Sequence, residues 1–343
     1  MIFIDPNNPA QVASRNAADI SLSGITSSKV TINVSVGQAL KASFQAEPYG
    51  GDLTIRLSDI LRSLGLFPFG GLPNTANTEN WESLKTVSIA AAATGETSPS
   101  PWSRKAFEGG YDPSMHEALA SSYWWTWRDQ VCRTFRSGKE LLGAMFLSES
   151  VSIKIVATFA DGTTGTKIKA VPGASGDVFV VFDVSHSNIA GLFQKEVVSY
   201  KVYRGNSVYP QVYEVSRLNP RRTFLFRNSL GLFDTVYALG RISDGESRDV
   251  KTFISSDRSE NISENNSRER IYVNSGPVDT KGERTLWREL FQSEQVWEYE
   301  SGRYRRIVID NFDMKLPEGA SGTATFEYHY SELPGGGYVK SEL

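Results

Sequence analysis

The sequence holds a single cysteine, Cys132, so no disulfide can close within the chain and the fold must rest on packing. Of its three histidines, His116, His186 and His329, none has a second His or Cys at ligand spacing, which argues against a transition-metal site. No apolar run approaches the length of a membrane span, and the opening MIFIDPNNP lacks the basic and long apolar segments of a secretory leader. Cytoplasmic synthesis is expected. A formal net charge of −3 gives no basic field for a phosphate backbone, so nucleic acid is disfavoured as a partner. There is no Gly-x-Ser-x-Gly elbow, phosphate loop or dinucleotide fingerprint, and Gly335–Gly337 lies in the tail without strand-to-helix context. Asp161-Gly162 lacks the acidic ladder of a calcium loop and reads as a hairpin turn. No cofactor, metal or catalytic residue is therefore assigned.

What the chain does have is 40% hydrophobic and 11% aromatic residues over 343 positions, enough for two or three packed domains. Val30, Ile32, Val34 and Val36 alternate with polar residues, as a half-buried strand requires. Leu40–Ala46, Asp52–Leu57, Leu84–Ala93, Val151–Phe159, Thr164–Val171, Asp177–Val184, Val197–Tyr203 and Gln211–Val215 read as further strands. Ser58 or Asp59 can cap a short helix, Ile60–Leu64, ended by Gly65. Near the C-terminus, Thr280 and Glu283 have capping-box spacing, and Leu286, Trp287, Leu290 and Phe291 recur at helical intervals, predicting a helix over Lys281–Gln292. Gln295–Glu300 and Arg303–Asp310, turned at Ser301-Gly302, predict a hairpin, with a last strand over Thr323–Tyr330. The expected class is all-β and mostly antiparallel: two to three β-sandwich-like domains with one amphipathic helix near the C-terminal region. The expected division is 1–143 (arm and sandwich), 144–218 (fibronectin-like sandwich) and 219–343 (β domain with the helix).

Three stretches read as non-core. Met1–Asp19, polar and carrying Pro6 and Pro9, predicts an extended arm. Gly95–Gly110 has loop chemistry throughout. Ser255–Arg270 is almost entirely polar and predicts a projecting loop. Neither the arm nor the last loop can offset its ordering entropy by burying apolar surface in its own domain, so each either stays flexible or becomes ordered against a partner.

The chain is organised around Arg222–Arg241. Thr223–Arg227 and Thr235–Leu239 read as strands buried on both faces, joined by Asn228-Ser-Leu-Gly231, whose Asn and Gly suit a tight reversal. Asn228, Gly231 and Asp234 mark this motif. The run Asn228–Thr235 resembles a motif of β-rich tail or virion-associated structural proteins of phages and prophages of Bacteroides-type bacteria. Leu286–Tyr299, Arg305–Asp310 and Ala324–Tyr330 are similar to the C-terminal part of that family, while Gly51–Asp59 and Trp124–Phe135 resemble it more loosely. The resemblance implies a non-catalytic tail- or portal-end-associated virion protein, partnered by copies of itself and by neighbouring virion proteins, and favours a homo-oligomer in which Met1–Asp19 and Ser255–Arg270 order against other copies. It carries over no catalytic residues.

Tyr123–Arg128 is the densest aromatic cluster. Trp124, Trp125 and Trp127 have the faces of a sugar-stacking platform with Arg128 or Asp129 as hydroxyl partner, which would make the chain a glycan-binding adhesin at the host surface; burial in a core is the competing assignment. A glycoside hydrolase is a third reading, with Asp112, Glu117 and Asp129 as the nearest carboxylates.

Overall fold

The structure, a computed structural model, describes all residues except 6–7, 9, 68, 70–71, 74–78, 112–118, 120–121, 148–150, 175, 206, 255–259, 316, 318–319 and 332–343; of 246–254 and 260–269 it describes the backbone alone. The chain is all-β, mostly antiparallel, in five sheets with three helices among the described residues. Two sheets enclose the N-terminal core. One joins β1 (Ile2–Ile4), β3 (Ile20–Ser23) and β6 (Leu53–Ile55) in that order. The other runs β2 (Gln11–Ala13), β9 (Trp102–Phe107), β8 (Lys85–Ala92), β4 (Val30–Val36) and β5 (Ala39–Ala46). The alternation in β4 does what period two dictates: Val30, Ile32 and Val34 enter the core with Val87, Ile89 and Leu61 of α1 (Leu57–Ser63). That helix begins at Leu57, earlier than expected, and Arg56 caps it without a side-chain hydrogen bond.

Two further sheets pack the central core. β11 (Leu141–Phe146), β14 (Val178–Asp183) and β7 (Glu79–Ser83) form one. The other is β10 (Val131–Phe135), β16 (Gln211–Ser216), β15 (Val197–Arg204), β12 (Ser152–Phe159) and β13 (Thr164–Ala170), with β10 parallel to β16. The border expected at Gly143 falls inside β11, and β7 and β10 pair with strands of the middle stretch, so residues on both sides of that border share a core. The last sheet has seven strands in the order β18 (Phe233–Ala238), β17 (Arg222–Arg227), β21 (Val296–Glu300), β22 (Arg303–Lys315), β23 (Thr323–Tyr330), β20 (Glu260–Asn274) and β19 (Ile242–Ile254). Its second strand, β17, is a wall between two cores. Leu225 packs into the central core, while Phe224 and Phe226 pack into a third with Leu286, Trp287 and Leu290 of the C-terminal helix (Lys281–Gln292).

Several expectations are corrected. The arm Met1–Asp19 docks on its own chain: β1 pairs with β3, β2 runs parallel to β9, and Asp5 accepts Trp102 Nε1 at 2.5 Å and pairs with Arg104 at 2.8 Å. Gly95–Gly110 is not loop throughout, because β9 lies between β2 and β8 and buries Trp102, Ala106 and Phe107; Pro99 and Pro101 stand just before the strand, where a missing N–H costs no ladder bond. Ser255–Arg270 is no loop from Glu260 onward, since β19 and β20 make a long ribbon; 255–259 lie outside the described residues. A third helix goes beyond the two expected, Ile60–Leu64 and Lys281–Gln292. Besides α1, His186–Phe193 forms α2, ended by Gln194 in the left-handed region at φ 55°, so the C-terminal helix is α3.

Candidate functional site

The reversal between β17 and β18 is built by its own side chains. Gly231 N–H donates to Asn228 O at 3.0 Å, Leu232 N–H donates to Asn228 Oδ1 at 3.0 Å, and Asn228 Nδ2 donates to Asp234 Oδ2 at 2.8 Å. Gly231 has φ +95°, a region that L side chains rarely adopt. Asn228 Nδ2 also donates to Trp125 O at 3.1 Å, which ties the turn to the aromatic stretch a hundred residues upstream. The three motif residues thus form one hydrogen-bonded unit. Leu230, Leu232 and Phe233 fill the central core around it.

Asp234 is also where the upstream stretch docks. It accepts from Thr126 Oγ1, from Trp127 N–H at 3.4 Å and from Arg128 Nε at 3.4 Å. Arg128 is buried, and its Nη2 donates to Thr235 O at 2.8 Å and pairs with Glu140 Oε2 at 2.8 Å. Glu140 Oε1 accepts from Tyr237 Oη at 2.6 Å, so one guanidinium faces two buried carboxylates, one from each flank. Burial opposes the charge on Arg128, but Glu140 and then Tyr213, Cys132 and Asp234 hold its pKa well above the usual value. Burial pushes Glu140 up to about 6 against the pull of Arg128, and raises Asp234 in the same way. Burial also pushes the Cys132 thiol up to about 12, which leaves it a poor nucleophile near neutrality. The next residue, Asp129, reaches a different element: both its carboxylate oxygens accept Gly282 N–H at 3.1 Å, and Thr280 Oγ1 donates to it. Thr280 and Glu283 close the capping box anticipated from their spacing.

The aromatic cluster lies inside. Trp125 is 0% exposed and Trp124 6%, with Phe107, Tyr111 and Phe179 around the Trp125 ring and Phe182 against Trp124. Trp127 is partly buried and donates its Nε1–H to Ser229 Oγ at 2.9 Å. Neither Trp124 nor Trp125 offers a face on which a sugar ring could stack, and Arg128 spends its donors on the ion network. These residues adopt an irregular segment, not a sheet edge. Of the carboxylates considered for glycoside cleavage, Asp129 serves as helix cap, while Asp112 and Glu117 lie outside the described residues, as does His116. His186 Nε2 lies 3.1 Å from Val197 O, and His329 Nδ1 lies 2.9 Å from Asp310 Oδ2. Among the described residues no group of three or more His, Cys, Asp or Glu could hold a metal ion, and no helix is long and apolar enough to cross a membrane.

Glu140 and Tyr237 escaped the sequence reading. A signal was available for Glu140, because a charged Lys139-Glu140 pair directly precedes the six buried residues of β11. The arrangement joins three chain stretches by buried charge and holds no exposed nucleophile. It is chemistry suited to clamping.

No protein-family profile matches the sequence. No curated protein is similar to it. Among solved structures, a chain of the virion of a native gene transfer agent particle superposes with a TM-score of 0.21 at 10% identity, over 32% of this chain and 92% of that one; a superposition of that quality carries no argument here.

Proposed function

We propose that this chain is a non-catalytic structural component of a phage-type virion, tail- or portal-end-associated, that works by docking copies of itself and neighbouring virion proteins. The observation that carries this reading is the β19–β20 ribbon. β20 reaches β23 only through Ile271–Asn274, and β19 pairs with β20 alone, so among the described residues no third strand pairs with Gly245–Ile254 or Glu260–Arg270. Ten residues of strand make an extension of about 35 Å. A lone two-stranded ribbon is marginal in water and presents two open edges, so a neighbouring chain is the natural source of its missing strand or packing face. The sequence resemblance of the C-terminal third supplies the setting, phages and prophages of Bacteroides-type bacteria.

The earlier expectation that Met1–Asp19 tethers subunits is set aside, because β1 and β2 complete the N-terminal sheets of their own chain. The adhesin reading loses its stacking platform with the burial of Trp124 and Trp125. The test is to replace residues 246–269 by Asn-Gly, a two-residue turn that closes β19 onto β20 near Gly245. The shortened chain is expected to keep its circular dichroism and thermal midpoint and to be lost from assembled particles. Incorporation at the wild-type copy number overturns the reading.

A further inference from the structure

β17 ends on Arg227, a cation that is 6% exposed and forms no ion pair among the described residues. Its Nη2 donates to Phe69 O at 2.5 Å, whereas Nε and Nη1 have no hydrogen-bond partner among the described residues. The Phe67 ring lies 3.9 Å from its guanidinium carbon and the Phe233 ring 5.6 Å, so aromatic carbon surrounds the group. A guanidinium has two in-plane forks, Nε with Nη2 and Nη1 with Nη2, and Nη2 contributes one hydrogen to each. A single acceptor on Nη2 therefore leaves one complete fork unused. Burial lowers the Arg227 pKa to about 10, with Glu108 and Glu82 partly offsetting it. An unmade pair on a buried cation is costly, and such groups are normally satisfied.

Arg227 lines a cleft of about 40 Å³ together with Arg15, Phe67, Glu108, Ser229, Glu289 and Glu294. One water needs roughly 10–15 Å³ by the same measure, so the cleft takes a group of a few heavy atoms and no sugar or nucleotide. The carboxylates on its wall decide what charge it accepts. Glu289 is committed, accepting Ser229 N–H at 2.7 Å and Ser229 Oγ at 3.0 Å. Burial raises the pKa of Glu108, whose Oε1 lies 3.9 Å from Arg15 Nε and whose Oε2 has no hydrogen-bond partner among the described residues. A dianionic phosphate would meet this acidic rim with twice the charge, whereas a planar monoanion matches the fork.

We propose that the Arg227 cleft is a receptor for a single carboxylate group. The source is a small carboxylic acid or a polypeptide carboxylate; only the second rests on the assembly reading, and binding itself does not. The experiment follows the Arg227 side-chain ¹⁵Nε resonance of the full chain, assigned by its absence from Arg227→Lys, during titration with sodium acetate, acetyl-Gly-Gly as free acid, its amide, and inorganic phosphate, against chloride at matched ionic strength. A saturable shift with acetate and the free-acid peptide, and none with the amide, is expected. Tighter binding of the peptide assigns a polypeptide source, and equal binding a small acid. Glu108→Gln, which removes the rim charge, is expected to tighten acetate binding. Arg227→Lys keeps the cation without the fork and is expected to weaken acetate about tenfold, read by calorimetry. Shifts no larger than those in chloride, or acetate binding undiminished in Arg227→Lys, overturn the proposal. A failed particle-incorporation test leaves these outcomes unaffected, so the two readings fail separately.

Discussion

Gly231 lies so close to Glu108 that a Cβ built on it would sit 2.1 Å from the Glu108 carbonyl oxygen. This contact presses the β17–β18 turn onto the end of β9, and it tolerates neither a side chain nor a non-glycine backbone at φ +95°. Gly231→Ala is therefore expected to destabilise the chain by about 3 kcal/mol or more, strain and clash adding together. The measurement is the urea midpoint, with Gly162→Ala as control: Gly162 has φ +80° and open space around its Cβ position, so it reports strain without the clash.

Removing the guanidinium from the ion network leaves Glu140 and Asp234 buried and facing each other. Arg128→Met is expected to cost about 3–5 kcal/mol in urea unfolding, the range for breaking a buried pair from one side. Arg128→Met combined with Glu140→Gln and Asp234→Asn is expected to recover part of the loss. No recovery would mean that the stabilisation lies in packing around residue 128.

Glu140 gives the network a pH signature. Its folded pKa, about 6, lies above the ordinary 4.5, so between those values the native state binds a proton that the unfolded chain releases. A raised acid contributes stability that is present below pH 4.5 and lost as pH rises through about 6. Wild-type stability relative to Glu140→Gln is thus expected to fall as pH rises across that window. Denaturant titrations of both proteins at four or so pH values check the sign; a difference that is flat with pH would show that Glu140 is ionised throughout.

The ribbon is expected to open before the sheets do. Limited proteolysis of the isolated chain should cut first between Gly245 and Arg270, leaving near-ultraviolet dichroism intact, because the aromatic cores lie elsewhere. A first cut inside the N-terminal sheets would contradict this.

Local pattern made much of the fold readable. The alternation of β4 and β12, the Asp161-Gly162 turn, the Asn228–Gly231 reversal and the Thr280–Glu283 box each declare themselves within a few residues, and each forms as read. What stayed hidden depends on partners far along the chain. Gln11-Val12-Ala13 has no strand signature, and it is a buried strand because β9 supplies a parallel edge nearly a hundred residues later. The polar ribbon looks like loop because cross-strand backbone pairing leaves no hydrophobic trace. Trp124 and Trp125 could not be placed from composition, since an aromatic cluster reads alike as core or platform until its neighbours Phe107, Phe179 and Phe182 are known. Arg128 and Asp234 were singled out separately, and nothing in their spacing announced the ion pair between them.

The threefold origin of the Arg128 network bears on the order in which the chain can fold during synthesis. A nascent chain ending before Asn228 would hold Arg128, Glu140 and the central strands without Asp234, the Thr235 carbonyl or Tyr237, and its central core would lack Leu230, Leu232 and Phe233. The two central sheets would then have to bury an incompletely matched charge beside a gap, which disfavours their closing early. Only the N-terminal core, whose residues all precede position 107, can close as it leaves the ribosome. The central core waits for the β17–β18 hairpin, so the largest part of the molecule sets late and nearly at once, by contacts of long sequence separation.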